Sequence, residues 1–227
     1  MKLIKSTIVA LSLFLTATAQ GNPISWADWT ASDLASATGT VGGVAINFSG
    51  TLRFAQLAPG SMVGSGAGPN TNYWTEGSPA PYTGNALVDN APTANELLAF
   101  NSASTNTITF GSAVVNPLMA ILSMGQPSFP VTYDFDTPFT VLSEGLGFWG
   151  DGSFTLGAGD QLIGRELHAV IQFQGSMNSI NWTSTAENWH GFTFGLLAPT
   201  AVPEPGTLAL LGIGLAGMGM TRRRKKV

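Results

Sequence analysis

Histidine, the side chain best suited to proton transfer near neutral pH, occurs only at His168 and His190. His168 lies two residues after Glu166 in a segment with strand-like alternation, so both side chains are expected on one face of a β-strand. Such a pair suits acid–base or metal chemistry. A solvent-facing or cross-strand hydrogen bond is the commoner arrangement for such a pair, and it is the interpretation that we favour. His190 follows Trp189 and is expected to end a strand near the surface.

The sequence lacks the short motifs that mark common hydrolases and nucleotide-binding enzymes. It has no cysteine, no H-E-x-x-H, no G-x-S-x-G and no P-loop, so thiol, zinc-protease, serine-hydrolase and phosphate chemistry have no motif support. Two carboxylates can still cleave a glycosidic bond, because that reaction depends on a separation in space that a sequence does not display. We predict no catalytic residue and no enzymatic activity.

Four aspartates in or beside turns are the predicted metal ligands: Asp134, Asp136, Asp151 and Asp160. Oxygen-rich loops of this kind are the sites that Ca²⁺ prefers. The alternative is ordinary turn chemistry, since Asp-Gly-Ser at 151–153 is also a favourable turn sequence. Calcium is therefore the one cofactor that the sequence suggests.

Two aromatic residues, Tyr73 and Trp74, are the predicted carbohydrate contacts. They lie in a long Gly- and Pro-rich stretch over residues 58–85 that has no strand periodicity. A loop of this length in a compact domain is usually functional or mobile. Trp182 and Trp189 lie in strand-like segments and are expected in the core, whereas Trp74 is expected at the surface, where its ring can stack on a sugar.

The C-terminal segment carries a different chemistry, that of a peptide recognised by a processing enzyme. It begins with Val202, Pro203, Glu204 and Pro205. Each proline fixes its own φ angle and restrains the residue before it, so this peptide must be extended and solvated. An extended peptide of this kind can enter the cleft of a processing enzyme.

An apolar run and a basic cluster follow that peptide. Residues 206–220 carry no charge and would form a helix about 22 Å long. This is short for a hydrocarbon core of about 30 Å, but local thinning of the bilayer still allows a transmembrane helix. The cations behind it are expected to stop transfer and to stay on the cytoplasmic side. They are Arg222, Arg223, Arg224, Lys225 and Lys226.

The order of these three parts resembles the PEP-CTERM sorting signal of Gram-negative bacteria. The resemblance covers residues 202–226. It implies recognition of the Pro-Glu-Pro peptide by an exosortase, a membrane-embedded, transpeptidase-like enzyme that would be the main partner. It also implies a membrane-anchored precursor in the cell envelope, and export to the outer surface or extracellular matrix in connection with extracellular polysaccharide.

The charges of the chain are distributed unevenly. Between residues 20 and 201 only Arg53 and Arg165 are basic, against twelve acidic residues, which leaves a formal charge of −10 on this part. Nucleic acid is excluded as a partner, because its phosphates require a basic face.

Residues 1–19 have the three regions of a signal peptide. Lys2 and Lys5 precede an apolar stretch, and Ala17 and Ala19 form an A-x-A cleavage site. The Sec translocon and signal peptidase are therefore predicted partners.

The stretch between the two terminal signals, residues 20–200, is predicted to be one secreted all-β domain, and residues 201–227 the sorting and anchoring segment. Apolar residues alternate with polar ones in segments such as 44–48 and 131–135, and 118–124 is an apolar run suited to a buried strand. Turn signals recur about every eight to twelve residues between these short segments. The pattern indicates a β-sandwich or jelly roll without a helix in the domain.

These observations favour a structural or adhesive protein of the cell envelope or extracellular matrix, associated with polysaccharide. The alternative is a secreted carbohydrate-active enzyme that uses a pair of carboxylates. Two carboxylates that converge in a cleft would favour the enzyme, whereas acidic residues confined to exposed turns would favour the structural role.

Overall fold

The computed structural model describes residues 23–198. This range forms eighteen β-strands and contains no helix. The predicted signal peptide, sorting peptide, apolar helix and basic cluster lie outside the described residues. Within residues 23–198 no helix reaches the length and hydrophobicity of a membrane span. The all-β prediction for the domain is confirmed.

The first sheet has eight strands in the order β11–β16–β9–β18–β7–β5–β6, and β1 pairs with β18 outside this path. Its strands are β1 (Ile24–Trp26), β5 (Phe54–Leu57), β6 (Ser61–Gly64), β7 (Leu97–Phe100), β9 (Leu118–Met124), β11 (Phe139–Glu144), β16 (Leu167–Phe173) and β18 (His190–Leu197). Ile24 lies opposite Leu197 in the antiparallel β1–β18 pair. The two ends of the described range are therefore neighbours.

The second sheet also has eight strands, in the order β14–β15–β10–β17–β8–β4–β3–β2. Its strands are β2 (Asp28–Ser32), β3 (Ser36–Val41), β4 (Val44–Ser49), β8 (Ser104–Val115), β10 (Val131–Phe135), β14 (Ser153–Leu156), β15 (Gln161–Arg165) and β17 (Ser176–Ser184). A separate hairpin joins β12 (Leu146–Gly147) to β13 (Gly150–Asp151).

The main core lies between the two sheets and is rich in aromatic rings. Phe192 of β18 stacks on Phe100 of β7 at 4.8 Å between ring centroids and meets Phe48 of β4 at 5.6 Å. Trp182 of β17 packs edge-on against Phe192 at 5.6 Å. Side chains from both sheets thus fill one interior, as in a β-sandwich.

A second core covers the outer face of the first sheet. Residues 65–96, here called the cover segment, connect β6 to β7 and place Tyr73, Trp74 and Tyr82 on this face. Strand β9 is buried at every position, which explains its continuous apolar sequence, because both of its faces are covered. An antiparallel sheet commonly keeps one face in water. Here the cover segment removes that face from solvent.

Candidate functional site

The hairpin β12–β13 sits over the junction between the cover segment and the first sheet. The backbone N–H of Gly77 donates to the carbonyl of Leu146 at 2.7 Å, and the N–H of Leu146 donates to the carbonyl of Pro79 at 2.8 Å. Gly147 lies against the imidazole of His168, where a Cβ atom would be 2.3 Å from the ring. The hairpin is thus fixed at both ends of β12, and its turn projects Phe148 and Trp149.

Four aromatic side chains, here called the aromatic cluster, meet at this turn: Tyr73, Phe148, Trp149 and Trp189. Trp149 stacks nearly parallel on Tyr73 at 5.4 Å and packs edge-on against Trp189 at 4.8 Å. Trp149 and Phe148 are 42% and 43% exposed, whereas Tyr73 is only 4% exposed. The buried ring of Tyr73 and the partly buried ring of Trp189 therefore hold two large exposed rings at the surface, the arrangement expected of a stacking platform.

A cavity of about 290 Å³, here called the acidic cavity, opens beside Trp149. It lies where β9 ends, where β15 meets β16 and where β17 connects to β18. Its lining residues are Ser123, Gln126, Pro127, Trp149, Glu166, Glu187, Asn188 and Trp189. Two tryptophans and two glutamates thus share one concave site.

Glu187 is the more deeply buried carboxylate of this cavity, with 2% of its side chain exposed. Its Oε1 accepts a hydrogen bond of 2.7 Å from the backbone N–H of Gly125. The same oxygen lies 2.8 Å from Nδ1 of His190, although that contact lacks the alignment of a hydrogen bond. The backbone amide of Gly125 therefore supplies the hydrogen bond to this buried carboxylate, and the imidazole of His190 packs beside it.

Glu166 occupies the residue between β15 and β16, with 16% of its side chain exposed. The hydroxyl of Ser123 donates a hydrogen bond to Glu166 Oε1. Both residues have a left-handed backbone, with φ +56° at Glu166 and φ +52° at Ser123. Left-handed backbone at a residue other than glycine costs free energy and often marks functional sites. Burial raises the pKa of the Glu166 carboxyl. The hydrogen bond from Ser123 opposes this rise, and the negative charge of Glu187 adds to it.

His168 lies behind Glu166 and has no solvent exposure. The single hydroxyl proton of Tyr82 has an acceptor in the carbonyl of Ile121 at 3.0 Å. The Tyr82 oxygen, 3.1 Å from His168 Nδ1, is then free to accept a hydrogen bond from that nitrogen, which assigns the ring proton to Nδ1. The other nitrogen, Nε2, has no partner and is 4.0 Å from Glu166 Oε1. Burial lowers the pKa of His168 to about 4, so this imidazole is neutral near pH 7.

Two further depressions adjoin Trp149. One, of about 520 Å³, is lined by Arg53 and by the aromatic cluster. The other, of about 390 Å³, is lined by Asp151, Arg165 and Glu166. Trp149 lines all three depressions, which together are here called the groove around Trp149.

The predicted carbohydrate contacts have different positions in the structure. Tyr73 belongs to the aromatic cluster, but it lies beneath Trp149 and not at the surface. The expectation that Trp74 is exposed is wrong, because Trp74 is 2% exposed and packs edge-on against Tyr82 at 5.2 Å. The Gly- and Pro-rich loop covers an apolar sheet face, and its large rings turn inward for that reason.

The structure also tests where the sequence placed Trp182, Trp189 and His190. Trp182 is in the main core as expected, whereas Trp189 is only partly buried and lines the acidic cavity. The prediction that His190 ends a strand near the surface is wrong, because His190 is the first residue of β18 and is fully buried. It packs against the rings of Phe100 and Tyr133 at 5.5 and 5.4 Å.

The four predicted calcium ligands do not form one site. Asp134 accepts a hydrogen bond of 3.0 Å from Gln161, and Asp151 lies apart in the β12–β13 hairpin, while Asp160 is in a turn. Burial opposes ionisation of Asp136, but hydrogen bonds from Asn181 and Thr137 outweigh it and hold the pKa of Asp136 below its ordinary value. Residues 23–198 contain no group of three or more acidic or histidine side chains arranged for a metal. The geometry gives the calcium prediction no support.

Sequence reasoning missed Glu187, Ser123 and Gly125. Glu187 lies in a polar loop without hydrophobic periodicity. The one local indication of a site was its position three residues before His190. Nothing in the sequence indicated that Ser123 and Gly125, at the end of β9, would donate hydrogen bonds to the two glutamates, because these partners are far apart along the chain.

The family model of the PEP-CTERM protein-sorting motif matches residues 201–225. This match confirms the resemblance seen in the C-terminal peptide, and it indicates an exported protein that is processed by an exosortase. It also implies a membrane-anchored precursor in Gram-negative bacteria. Comparison with curated proteins gives no match, and comparison with solved structures gives none.

Proposed function

We propose that this exported protein associates with extracellular polysaccharide, and that the groove around Trp149 is the surface that holds the sugar chain. The observation that carries the proposal is the exposed pair Phe148 and Trp149 supported on Tyr73 and Trp189. An aromatic face stacks on the C–H face of a sugar ring, while adjoining polar groups bond its hydroxyls. The sorting signal supports the same role, because it delivers the domain to the cell envelope.

The groove has the mixed lining that sugar recognition needs. Ser123, Gln126 and Asn188 contribute hydroxyl and amide groups beside the tryptophans. The three adjoining depressions extend the surface on both sides of Trp149. A groove of this form accommodates several units of a polymer in succession, and so it suits a matrix or adhesive role.

Replacement of Trp149 tests this proposal. Trp149→Ala in the full-length protein should weaken binding to the host's extracellular polysaccharide by roughly tenfold or more, since loss of one stacking ring costs about 1–3 kcal/mol. Trp149→Phe should recover part of the affinity. Affinity gel electrophoresis in gels that contain the polysaccharide measures the effect.

The matched control is Leu156→Ala, which removes another exposed apolar side chain, at 63% exposure, from strand β14. It should leave binding unchanged. Equal affinity of the Trp149→Ala variant and the unaltered protein would exclude the groove as the binding surface.

A specific observation favours a second candidate function, a carbohydrate-active enzyme. Glu166 and Glu187 line one cavity, and the pKa of Glu166 is raised by burial and by the charge of its partner. In glycoside hydrolysis one protonated carboxyl acts as the general acid, and the second, ionised carboxylate assists the attack at the anomeric carbon. New reducing ends from the bound polysaccharide, lost in Glu166→Gln, would establish hydrolysis as the function. Their absence in the unaltered protein would favour binding alone.

A further inference from the structure

The acidic cavity is lined by two carboxylates, and no lysine or arginine of residues 23–198 forms an ion pair with either of them. None of the described residues that line it is basic. The guanidinium of Arg53 donates to the backbone carbonyls of Ser65 and Asn188, and that of Arg165 donates to the carbonyl of Pro127. Neither reaches a carboxylate of the cavity as an ion pair in the described part of the chain. The interior therefore favours a ligand with positive charge.

The groups behind the carboxylates also lack a donor. With its proton on Nδ1, His168 presents the lone pair of Nε2 toward Glu166, and this fully buried atom has no partner. A neutral imidazole nitrogen and a carboxylate oxygen 4.0 Å apart are both acceptors. A cation that binds the Glu166 carboxylate in the cavity would weaken the repulsion between these two acceptors, whereas a further acceptor would increase it.

The walls of the cavity favour the same kind of ligand. Trp149 and Trp189 also line it, and their ring planes are 85° apart. Indole faces attract cations through the ring quadrupole, most strongly where solvent is limited. Carboxylates and indole faces together recognise an ammonium group better than a neutral hydroxyl or acetamide.

We propose that the acidic cavity selects a positively charged amino sugar within the bound polysaccharide, with its primary ammonium group between Glu166 and Glu187 and its ring against Trp149. This inference rests on the proposed function and adds a chemical class to it. A neutral sugar would still stack on Trp149 and could donate its hydroxyls, but it would leave the negative charge of the two carboxylates unbalanced.

Calorimetric titration of the full-length protein in detergent tests the proposal with a matched pair of probes. One probe is a β-1,4-linked trimer of glucosamine, and the other is the same trimer with every amine acetylated. At a pH that keeps the amines protonated, the glucosamine trimer should bind roughly tenfold or more tightly, the scale of one partly buried charge pair. Spermidine supplies ammonium groups without a sugar ring and should bind more weakly than the glucosamine trimer.

Three variants assign the effect to the cavity. Glu166→Gln and Glu187→Gln retain the shape of the side chain and should each remove most of the preference for the charged trimer. Glu166 is partly exposed, so its variant is informative even if replacement of the more buried Glu187 disturbs folding. Glu144→Gln removes an exposed charge from β11, outside the cavity, and should leave the preference intact.

The outcomes separate this inference from the proposed function. Equal affinity for the two trimers, both weakened by Trp149→Ala, would overturn the ammonium site and retain the polysaccharide groove. Spermidine binding as tight as that of the glucosamine trimer would overturn the selection of a sugar. Failure of both trimers and of the host's polysaccharide to bind would overturn the proposed function itself.

Discussion

At the junction of β15 and β16, His168 and Glu166 respond to burial in opposite directions. Desolvation lowers the pKa of the imidazole and raises that of the carboxyl, since each group is driven toward its neutral form. The hydrogen bond from Ser123 opposes the rise in the pKa of Glu166, whereas no contact opposes the fall in the pKa of His168. Their protonation states are therefore set by the fold around them.

The pH dependence of stability should report the burial of His168. Its pKa falls from an ordinary value of 6.5 to about 4 in the folded protein, so the unfolded chain binds the extra proton between these values. The contribution of His168 to stability should consequently decrease by about 2–3 kcal/mol as the pH falls from 7 to 4.5. Urea denaturation at the two pH values measures this decrease.

His168→Gln provides the comparison for that measurement, because glutamine does not titrate. The variant should be less stable at pH 7 but should lose less stability on acidification, while the remaining titratable groups act alike in both proteins. Identical losses in the two proteins would show that His168 is protonated as readily when folded as when unfolded.

At the scale of elements, the β12–β13 hairpin determines where the exposed rings stand. Leu146 ties it to the cover segment, and Gly147 allows its backbone to lie directly on the His168 ring. The stacked position of Trp149 on Tyr73 depends on this close approach. The groove is thus shaped by contacts between three separate segments of the chain.

Gly147→Ala should displace this hairpin. Its new methyl group would fall 2.3 Å from the imidazole, so the hairpin must move away, at a cost of about 1–3 kcal/mol for an overpacked contact. Near-ultraviolet circular dichroism should show loss of the ordered Trp149 signal, and polysaccharide affinity should fall with it.

Gly159→Ala is the corresponding control in the turn before β15. No atom lies within 4 Å of its new methyl group, although φ of +70° adds about 1–2 kcal/mol of backbone strain. It should reduce stability without changing the aromatic signal. An unchanged aromatic signal in the Gly147→Ala protein would contradict the proposed packing of the hairpin.

The strands were more predictable than the way in which the loops cover them. Alternation at 44–48 and the apolar run at 118–124 both identify strands, because each pattern follows directly from which faces are buried. The inward position of Trp74 was not predictable from a loop rich in Gly and Pro. Likewise, Glu166 and Glu187 meet only because β16, β9 and β18 are neighbours in the sheet, and pairing order is a property of the whole fold.

At the scale of the whole molecule, an acidic domain is joined to a basic C-terminal sorting segment. Between residues 20 and 201 only two residues are basic, whereas residues 222–226 are all cationic. Removal of the segment behind the sorting peptide would leave an exported domain with a strongly negative charge. Such a domain would attract cationic groups of the surrounding matrix over longer distances than the acidic cavity alone.

Mass spectrometry of the exported protein should detect that removal. In the presence of the host's exosortase, the residues beyond Pro205 should be absent from the mature protein, and in its absence the chain should continue through Val227. Pro203→Ala should prevent processing, because it releases the extended conformation of the recognised peptide. Pro199→Ala, outside the matched motif, should be processed normally.

The pairing of β1 with β18 joins the first and last strands of the described domain, and this imposes an order of events on a chain that crosses a membrane from its N-terminal end. Ile24 emerges early and has no partner in β18 until Leu197 has followed it across. Such a distant contact forms late because closing a long loop costs entropy that nearby pairings do not require. In an exported chain we therefore expect the first sheet to close only after Leu197 has crossed, when residues 202–205 are the next part of the chain to follow.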